Sequence, residues 1–172
     1  NITRCVDFIE GMLDYTRLPN KDLVTTDIDA WCQSLVADLD APDGVSLQTD
    51  CQSGVKIAID QDRMRQAIIN LLQNSWQAIE NYSGNFEKGS VILSTATYLN
   101  NLVIRIRDNG PGVPDDIRNQ IFEPLFSTKL HGVGLGLPLV ERMIEEIGGT
   151  ITLEPFVPKN GAVFSITLPM QG

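Results

Sequence analysis

Cysteine, histidine and positive charge are scarce in this chain, and each scarcity excludes a class of protein. The three cysteines, Cys5, Cys32 and Cys51, are odd in number and widely spaced without a CxxC pair, which disfavours a disulfide framework and a zinc site. The 13 Lys and Arg against 22 Asp and Glu give a net charge of −9, so neither nucleic acid nor an anionic membrane surface is the expected partner. We predict free thiols in a reducing cytoplasm.

Long hydrophobic runs and familiar catalytic motifs are absent as well. No apolar run approaches the roughly 18 residues that span a bilayer, and no secretory signal opens the chain. There is no GxxxxGK(S/T) phosphate loop, no GxSxG and no HExxH, and the single histidine, His131, has no cysteine or second histidine to pair with. The composition predicts one globular domain with a short appended element. Because the chain begins at Asn1, we expect a fragment of a longer protein, whose membrane anchoring stays open.

Residues 60–81 predict a helix with two kinds of face, with Asp60 as its N-cap. Gln66, Asn70 and Asn74 recur at four-residue steps, so three amides stack along one line of the helix. Buried amides need hydrogen-bonding partners. Considered alone, the helix favours a solvated or internally satisfied amide face over a face turned toward a polar ligand. Its apolar or small positions are Met64, Ile68, Leu71, Leu72, Ser75 and Ile79.

The first 17 residues carry a separate pattern. Apolar or small residues recur there in steps of four and three, as in the seam of a coiled coil. So short a seam is not stable alone, so we predict the end of a longer bundle helix that stops at Leu18-Pro19-Asn20. A plain amphipathic helix packed on its own domain is the alternative.

The remaining elements alternate without a strict βαβ order. We therefore predict a two-layer α/β sandwich in which three helices cover one face of a mixed sheet. The predicted strands are 22–26, 45–49, 56–59, 90–99, 102–107, 150–154 and 162–168, with a two-residue hairpin turn at Asn100-Asn101. The other predicted helices are one capped by Asp27 or Asp29 and running through Leu39, a weak one near 115–120, and one that follows residues 132–137, has Pro138 in its first turn and ends at Gly148.

Two glycine-containing segments contain residues that could bind a ligand. Strand alternation places Asp108 on the apolar side of its strand, where a carboxylate needs a partner, and Gly110 and Gly112 follow it. The second segment, Gly132 to Gly136, leads into a helix N-terminus, the geometry that binds anions. By itself GxGxG is equally a tight-turn pattern.

Taken together, these segments resemble the catalytic ATP-binding domain of two-component sensor histidine kinases, within the wider family of DNA gyrase, mismatch-repair ATPases and a heat-shock chaperone. The resemblance covers about residues 20–170. It implies an α+β domain with the Bergerat-type ATP-binding fold at 20–172, preceded by the end of the second dimerisation helix at 1–19. The matching segments are Asn70 to Asn74 (N box), Asp108 to Gly112 (first glycine box), Phe122 to Phe126 (F box) and Gly132 to Gly136 (second glycine box).

The resemblance also implies roles for individual residues. Asp108 would accept a hydrogen bond from the exocyclic amine of adenine. Asn74, with Asn70 as a second candidate, would bind Mg²⁺ bridging the phosphates of ATP or ADP, and Lys129 would add positive charge there. Asn70, Asn74 and Lys129 are the candidate catalytic residues. Further nucleotide contacts are expected from Gln77, Ala78, Gly110, Gly112, Val113, Ile121, Phe122, Thr128, Gly132, Val133, Gly134, Leu135, Gly136 and Leu137.

The implied activity is transfer of the γ-phosphoryl group to a histidine outside this fragment. The implied partners are the protein's own dimerisation and phosphoacceptor domain, a second copy of the full-length protein, and the receiver domain of a response regulator. Neither nucleic acid nor direct membrane contact by this fragment is expected, and the fragment is expected in the cytoplasm whether or not the parent protein is anchored in the inner membrane.

Three departures from the family pattern qualify these expectations. Gln66 stands where many relatives have a glutamate, Ala78 stands where several have an aromatic residue, and only Leu130 and His131 separate Lys129 from Gly132, as in nitrogen-regulation sensor kinases with a short lid. Gln66 favours an alternative function, a nucleotide-binding regulatory module without phosphotransfer, such as a degenerate kinase or an anti-sigma-type switch. A structural protein that binds no nucleotide is a distant third.

Overall fold

The computed structural model describes residues 22–82, 88–128, 134–155 and 161–170. The predicted N-terminal helix, the domain boundary at residue 19 and the predicted contacts of Lys129, Gly132 and Val133 lie outside these ranges. The described chain contains β1 (Val24–Asp27), α1 (Ile28–Ala37), β2 (Val45–Cys51), β3 (Lys56–Ile59), α2 (Gln61–Glu80), β4 (Gly89–Tyr98), β5 (Asn101–Asp108), α3 (Gly136–Glu146), β6 (Thr150–Leu153) and β7 (Val163–Pro169).

Five of the strands form one mixed sheet in the order β2-β4-β5-β7-β6. β2 and β4 are parallel, and every other neighbouring pair in this sheet is antiparallel. β1 and β3 form a separate two-stranded antiparallel sheet. Since β5 is the middle strand, a residue at its end lies at the centre of the sheet rather than at an edge.

The helices cover one face of the five-stranded sheet. On β5, Leu102, Ile104 and Ile106 are fully buried, whereas Arg107 is exposed on the opposite face. α2 packs on β4 and β5, α1 packs on β2 and β4, and α3 packs on α2 and β6. The two-layer α+β sandwich with a mixed sheet is therefore confirmed.

The helix starts follow their caps. The Asp27 side chain accepts a hydrogen bond from Ala30 N (3.2 Å) at the start of α1, and the Asp60 side chain accepts one from Arg63 N (3.1 Å) at the start of α2. Asp27 is thus the cap of α1, and this helix ends at Ala37, two residues before the predicted Leu39. The side chains of α2 that are buried include all six predicted apolar or small positions.

Two sequence predictions are wrong in detail. The turn between β4 and β5 is Leu99-Asn100, with φ of 47° and 61°, instead of Asn100-Asn101. A two-residue hairpin turn of this type needs positive φ at both positions, and Asn100 accepts a hydrogen bond from Met170 N (3.2 Å), which fixes the register. Residues 115–122 form successive turns and no helix, because so short a segment gains few hydrogen bonds for the dihedrals it fixes.

Candidate functional site

Asp108 ends the central strand and turns into the helical layer. It is 3% exposed, as the alternation along β5 predicts. Its Oδ1 accepts hydrogen bonds from Gly110 N (2.9 Å) and Ala162 N (3.1 Å). Both backbone N–H groups bond to Oδ1, and neither bonds to Oδ2. Oδ1 therefore holds the local backbone, while Oδ2 is an acceptor that no backbone N–H group of the described residues uses.

The protonation of Asp108 is set mainly by its burial. Removal from water raises the pKa of this carboxyl above its usual value, and the N–H groups of Ala162 and Gly110 oppose that rise only in part. The nearby Ser75 hydroxyl also favours the ionised form, although its Oγ is fully buried and makes no hydrogen bond of ordinary length and angle. Ser75 and Asp108 thus form a buried polar pair that is incompletely satisfied.

Gly161 and Ala162 complete the surroundings of Asp108, and sequence reasoning missed both. Gly161 has a φ of +63°, and a Cβ built on it would lie 2.2 Å from the carbonyl oxygen of Asp108 and 2.5 Å from its Oδ1. No side chain fits there. The sequence signals only a hairpin turn at Lys159-Asn160-Gly161, because the approach depends on pairing between β5 and β7.

Asn109 was also missed, and it anchors the neighbouring strand. Its Oδ1 accepts a hydrogen bond from Ser90 N (2.8 Å), and its Nδ2 donates to Lys88 O (3.0 Å). The side chain therefore holds the start of β4 against the segment that follows β5. An asparagine in an Asp-Asn-Gly run is more readily assigned to a turn than to this long-range role.

The first glycine segment lies against the C-terminal half of α2. A Cβ on Gly110 would lie 3.6 Å from Ile79 Cγ1 and 3.7 Å from Ala78 Cβ, so the backbone passes close to that helix. Gly112 has a φ of +75°, a conformation that disfavours side chains. The structure therefore brings Asp108, Gly110 and Ala78 together.

The second glycine segment meets both the F box and α2. Leu125 N donates to Gly134 O (2.9 Å), and a Cβ on Gly134 would lie 2.5 Å from Phe126 O. An ideal Cβ on Gly136 would lie 3.9 Å from Asn74 Nδ2, so the start of α3 lies beside the amide of Asn74. Three segments that are distant in sequence thus converge at one end of α3.

The N-terminus of α3 differs from those of the other two helices. Its N-cap is Leu135, which makes no side-chain capping hydrogen bond, and its first turn contains no acidic residue. Unpaired N–H groups and the helix dipole make such an end electropositive. This end of α3, beside Asn74, is therefore suited to an anion.

The other predicted contacts divide into an apolar wall and more polar positions. Ile121 is buried, and Val113, Phe122 and Leu137 are half-buried against the core. The ring of Phe122 packs edge-to-face on Phe164 with 6.4 Å between centroids. The polar positions are Asn70 and Asn74, which are half-buried, and Gln77 and Thr128, which are exposed.

A cavity of about 510 Å³ lies on the helix-free face of the sheet. Its lining includes Ile92, Arg107 and Val163, together with Arg105 and Glu154, whose side chains form an ion pair (2.6 Å). None of the predicted site residues lines it. The candidate site is therefore the one on the helical side, where Asp108, Asn74 and the α3 N-terminus are found.

In the part of the chain that the structure describes, no helix is both long enough and apolar enough to cross a bilayer.

Comparison with known proteins identifies the family. The family described as histidine kinase-, DNA gyrase B-, and HSP90-like ATPase matches residues 59–172. Sporulation kinase C of Bacillus subtilis (strain 168) is 35% identical over 118 residues, 69% of this chain and 26% of that protein. The signal transduction histidine-protein kinase AfsQ2 of Streptomyces coelicolor is 32% identical over 178 residues, 98% of this chain and 31% of that protein. The chain belongs to this ATPase family, as a catalytic ATP-binding domain of the sensor histidine kinase type.

Solved structures share the fold. The catalytic domain of the histidine kinase ThkA superposes with a TM-score of 0.68 at 24% identity, over 87% of this chain and 96% of that one. Full-length ShkA in complex with AMPPNP gives a TM-score of 0.78 at 23% identity, over 96% of this chain and 35% of that one. This chain spans less than a third of the length of the two kinases compared by sequence.

Proposed function

We propose that this domain binds Mg·ATP and that, in the full-length protein, it supplies the γ-phosphoryl group to a histidine outside residues 1–172. The observation that carries the proposal is the pairing of two sites on the helical side of the sheet. One is the buried carboxylate of Asp108, whose Oδ2 accepts from no backbone N–H group of the described residues. The other is the α3 N-terminus beside Asn74, which lacks a side-chain cap.

The Asp108 end suits an adenine base. Oδ2 would accept a hydrogen bond from the exocyclic amine, whereas guanine has a carbonyl oxygen at that position and would leave two acceptors facing each other. Gly110 lets the base approach the backbone, and Ala78 leaves room beside it. Val113, Ile121, Phe122 and Leu137 would supply the apolar surface, and Gln77 would lie at the rim.

The α3 end suits the phosphates. The N–H groups of Gly134, Leu135 and Gly136 would bind phosphate oxygens, aided by the helix dipole. Thr128, Lys129, Gly132 and Val133 belong to the segments leading there, and Lys129 would add a positive charge to the phosphates.

The donor set also fits Mg²⁺. The described residues include no group of three or more His, Cys, Asp or Glu that could hold a metal alone. Mg²⁺ favours oxygen ligands and commonly keeps several waters while binding phosphates through only one or two protein groups. The amide oxygen of Asn74 would be one protein ligand, and Asn70 is the candidate for a second. The bound ion would neutralise charge on the transferring phosphoryl group.

The domain's contribution to the reaction is positioning and electrostatic stabilisation. Asn70, Asn74 and Lys129 would hold the triphosphate in line with an incoming imidazole. Gln66 on α2 cannot accept a proton at neutral pH, so any proton acceptor must come from another part of the full-length protein.

The partners follow from this division of labour. Residues 1–19 would continue the second helix of a dimerisation domain that carries the phosphoacceptor histidine, which makes the parent protein a homodimer. A response regulator receiver domain would take the phosphoryl group. ThkA, which shares the fold with a TM-score of 0.73 at 21% identity, has been solved in complex with the response regulator protein TrrA. The free thiols of Cys32 and Cys51 suit a cytoplasmic location.

The metal role of Asn74 is tested by nucleotide titration with and without Mg²⁺. We expect Asn74→Ala to weaken Mg·ATP binding at least about tenfold, about 1.4 kcal/mol, because a metal ligand is lost. With a chelator present, the variant and the parent should differ little. Gln73→Ala, an exposed neighbour on α2, is the matched control and should bind normally. An unchanged affinity for Mg·ATP, or an equal loss without the metal, contradicts the assignment.

The second candidate function is a nucleotide-binding regulatory module without phosphotransfer, which Gln66 favours. Incubation of the full-length protein with γ-labelled ATP separates the two functions. The kinase function predicts an acid-labile, base-stable label on the protein. Mg·ATP binding without any such label favours the module.

A further inference from the structure

Cys32 and Cys51 are brought to one place by α1 and β2. Cys32 is fully buried in α1, and Cys51 is the half-buried last residue of β2. Asp29 lies one turn before Cys32, and its Oδ1 accepts a hydrogen bond from the hydroxyl of Thr95. Thr95 is the residue directly opposite Cys51 in the β2–β4 pair. The Asp29–Thr95 bond therefore ties the helical turn of Cys32 to the strand end of Cys51.

Cys51 packs against the core that contains Cys32, and each thiol affects the ionisation of the other. A hydrogen bond from the Cys32 thiol is the largest influence on Cys51 and lowers its pKa, with a smaller contribution from the Thr95 hydroxyl. The same hydrogen bond, followed by burial, raises the pKa of Cys32. Cys51 is therefore both the more accessible sulfur and the one that more readily forms a thiolate.

We infer that Cys32 and Cys51 form a dithiol modification site, which a small disulfide oxidant such as oxidised glutathione converts into an intrachain disulfide. The site is separate from the nucleotide site and does not depend on the proposed function. Neither the predicted nucleotide contacts nor the described hydrogen bonds of the Asp108 region involve these two cysteines.

The reaction proceeds in two exchange steps. The Cys51 thiolate first attacks one sulfur of the oxidant; the oxidant's S–S bond breaks, and one glutathione leaves as a thiolate and takes up a proton. Cys32 then loses its proton and attacks the Cys51 sulfur, and the second glutathione leaves. Two protein thiols are oxidised, and one disulfide is reduced to two thiols. The first step removes the Cys51 thiolate that holds the Cys32 proton, so it prepares the second.

The test is oxidation of the chain by oxidised glutathione, followed by intact mass and non-reducing peptide mapping. Cys5→Ser is the background for every sample, so that the third cysteine cannot react. We expect the mass to fall by two hydrogens and a peptide joining Cys32 to Cys51 to appear, both reversed by a reductant. Retention of one glutathione on this protein, or no reaction at all, overturns the inference.

Two single variants test the order of the steps. Cys32→Ser should stop at the mixed disulfide and retain one glutathione. Cys51→Ser should release glutathione at least about tenfold more slowly, because the remaining thiol is buried and less ionised. If Cys51→Ser reacts as fast as the parent, Cys32 is the first nucleophile and the proposed order is wrong. Circular dichroism shows whether each variant is folded. The mass measurement described above tests disulfide formation even if neither single variant folds.

Discussion

Asp29 and Asp108 both accept hydrogen bonds from distant parts of the fold, but half-buried Asp29 is fully bonded and buried Asp108 is only partly bonded. Both oxygens of Asp29 are engaged: Oδ1 accepts from Ser53 N (3.2 Å), Ser53 Oγ (2.6 Å) and the Thr95 hydroxyl, and Oδ2 accepts from Gly54 N (2.7 Å). At Asp108 two backbone N–H groups bond to Oδ1, and the nearby Ser75 hydroxyl makes no hydrogen bond of ordinary length and angle. Asp29 joins α1 to β4 and to the loop after β2, whereas Asp108 is incompletely bonded.

The pKa values of Asp29 and Asp108 shift in opposite directions because the two carboxylates differ in how completely they are hydrogen-bonded. Burial raises the pKa of Asp29, but hydrogen bonds from Ser53, Thr95 and Gly54 outweigh it and leave the pKa below its usual value. Burial also raises the pKa of Asp108, and there the donors do not compensate. A fully bonded carboxylate contributes to stability, and an incompletely bonded one is the better candidate for binding.

The largest expected loss of stability comes from disturbing Asp108 through its neighbour Gly161. Gly161→Ala should lower the free energy of unfolding by about 2–5 kcal/mol, because left-handed backbone costs a side chain about 1–2 kcal/mol and the overlap with Asp108 adds about 1–3 kcal/mol. Urea denaturation measures the loss. Nucleotide binding should fall as well, since Asp108 must move.

Gly148→Ala is the matched control for this change. Gly148 also has a left-handed φ of +77°, but a Cβ there would meet nothing within 4 Å. It should therefore lose only the backbone part, about 1–2 kcal/mol, and keep its affinity for nucleotide. Equal losses in the two variants contradict the close approach of Gly161 to Asp108.

A smaller loss of stability is expected when Asp29 is changed. Asp29→Asn removes the charge and turns one N–H₂ toward donors, so we expect the free energy of unfolding to fall by about 1.5–3 kcal/mol. Mg·ATP affinity, measured by calorimetric titration, should stay within twofold or so of the parent value. A variant of normal stability, or one that folds but no longer binds nucleotide, shows that Asp29 is not the structural carboxylate described above.

The smallest effect is a pair of opposite pH dependences. The stabilisation from Asp29, whose pKa is lowered, is present above its usual value of 3.8 and is lost as pH falls through the folded-state pKa. For Asp108, whose pKa is raised, stability is highest below 3.8 and declines as pH rises through the folded-state pKa. Urea midpoints from about pH 3 to pH 6 should therefore show a smaller acid-side decline in Asp29→Asn, where the lowered pKa values of Glu146 and Glu154 still contribute one, and should rise at the upper end in Asp108→Asn. Changes of the same sign in both variants contradict this explanation.

The sequence alone predicts the parts of the site that depend on local periodicity. Strand alternation places Asp108 on the buried face, and the cap at Asp60 follows from residue type and position, whereas the sequence leaves Asp27 and Asp29 open as the cap of α1. The order of helices and strands predicts the mixed sheet. The N box and the two glycine boxes are recognisable because their spacing within each segment is short.

What the sequence does not predict depends on contacts between distant segments. Ala162 bonds to Asp108 across 54 positions, and Thr95 reaches Asp29 across 66, so no local pattern signals either. The same limit explains why Asp29 resembles a helix cap in the sequence, whereas in the structure it joins two elements. The hairpin turn was displaced by one residue because Met170, at the far end of the chain, fixes the position of Asn100.

The central claim is that Asp108 Oδ2 recognises the adenine amine. Titration of ATP and GTP against the parent and Asp108→Asn, in Mg²⁺, tests it directly, because asparagine keeps an acceptor for Gly110 and Ala162 but presents a donor in place of Oδ2. We predict that ATP affinity falls at least about tenfold while the urea midpoint near neutral pH does not fall, and that Asp116→Asn, an exposed control, changes neither. An unchanged ATP affinity in a folded Asp108→Asn protein contradicts the account.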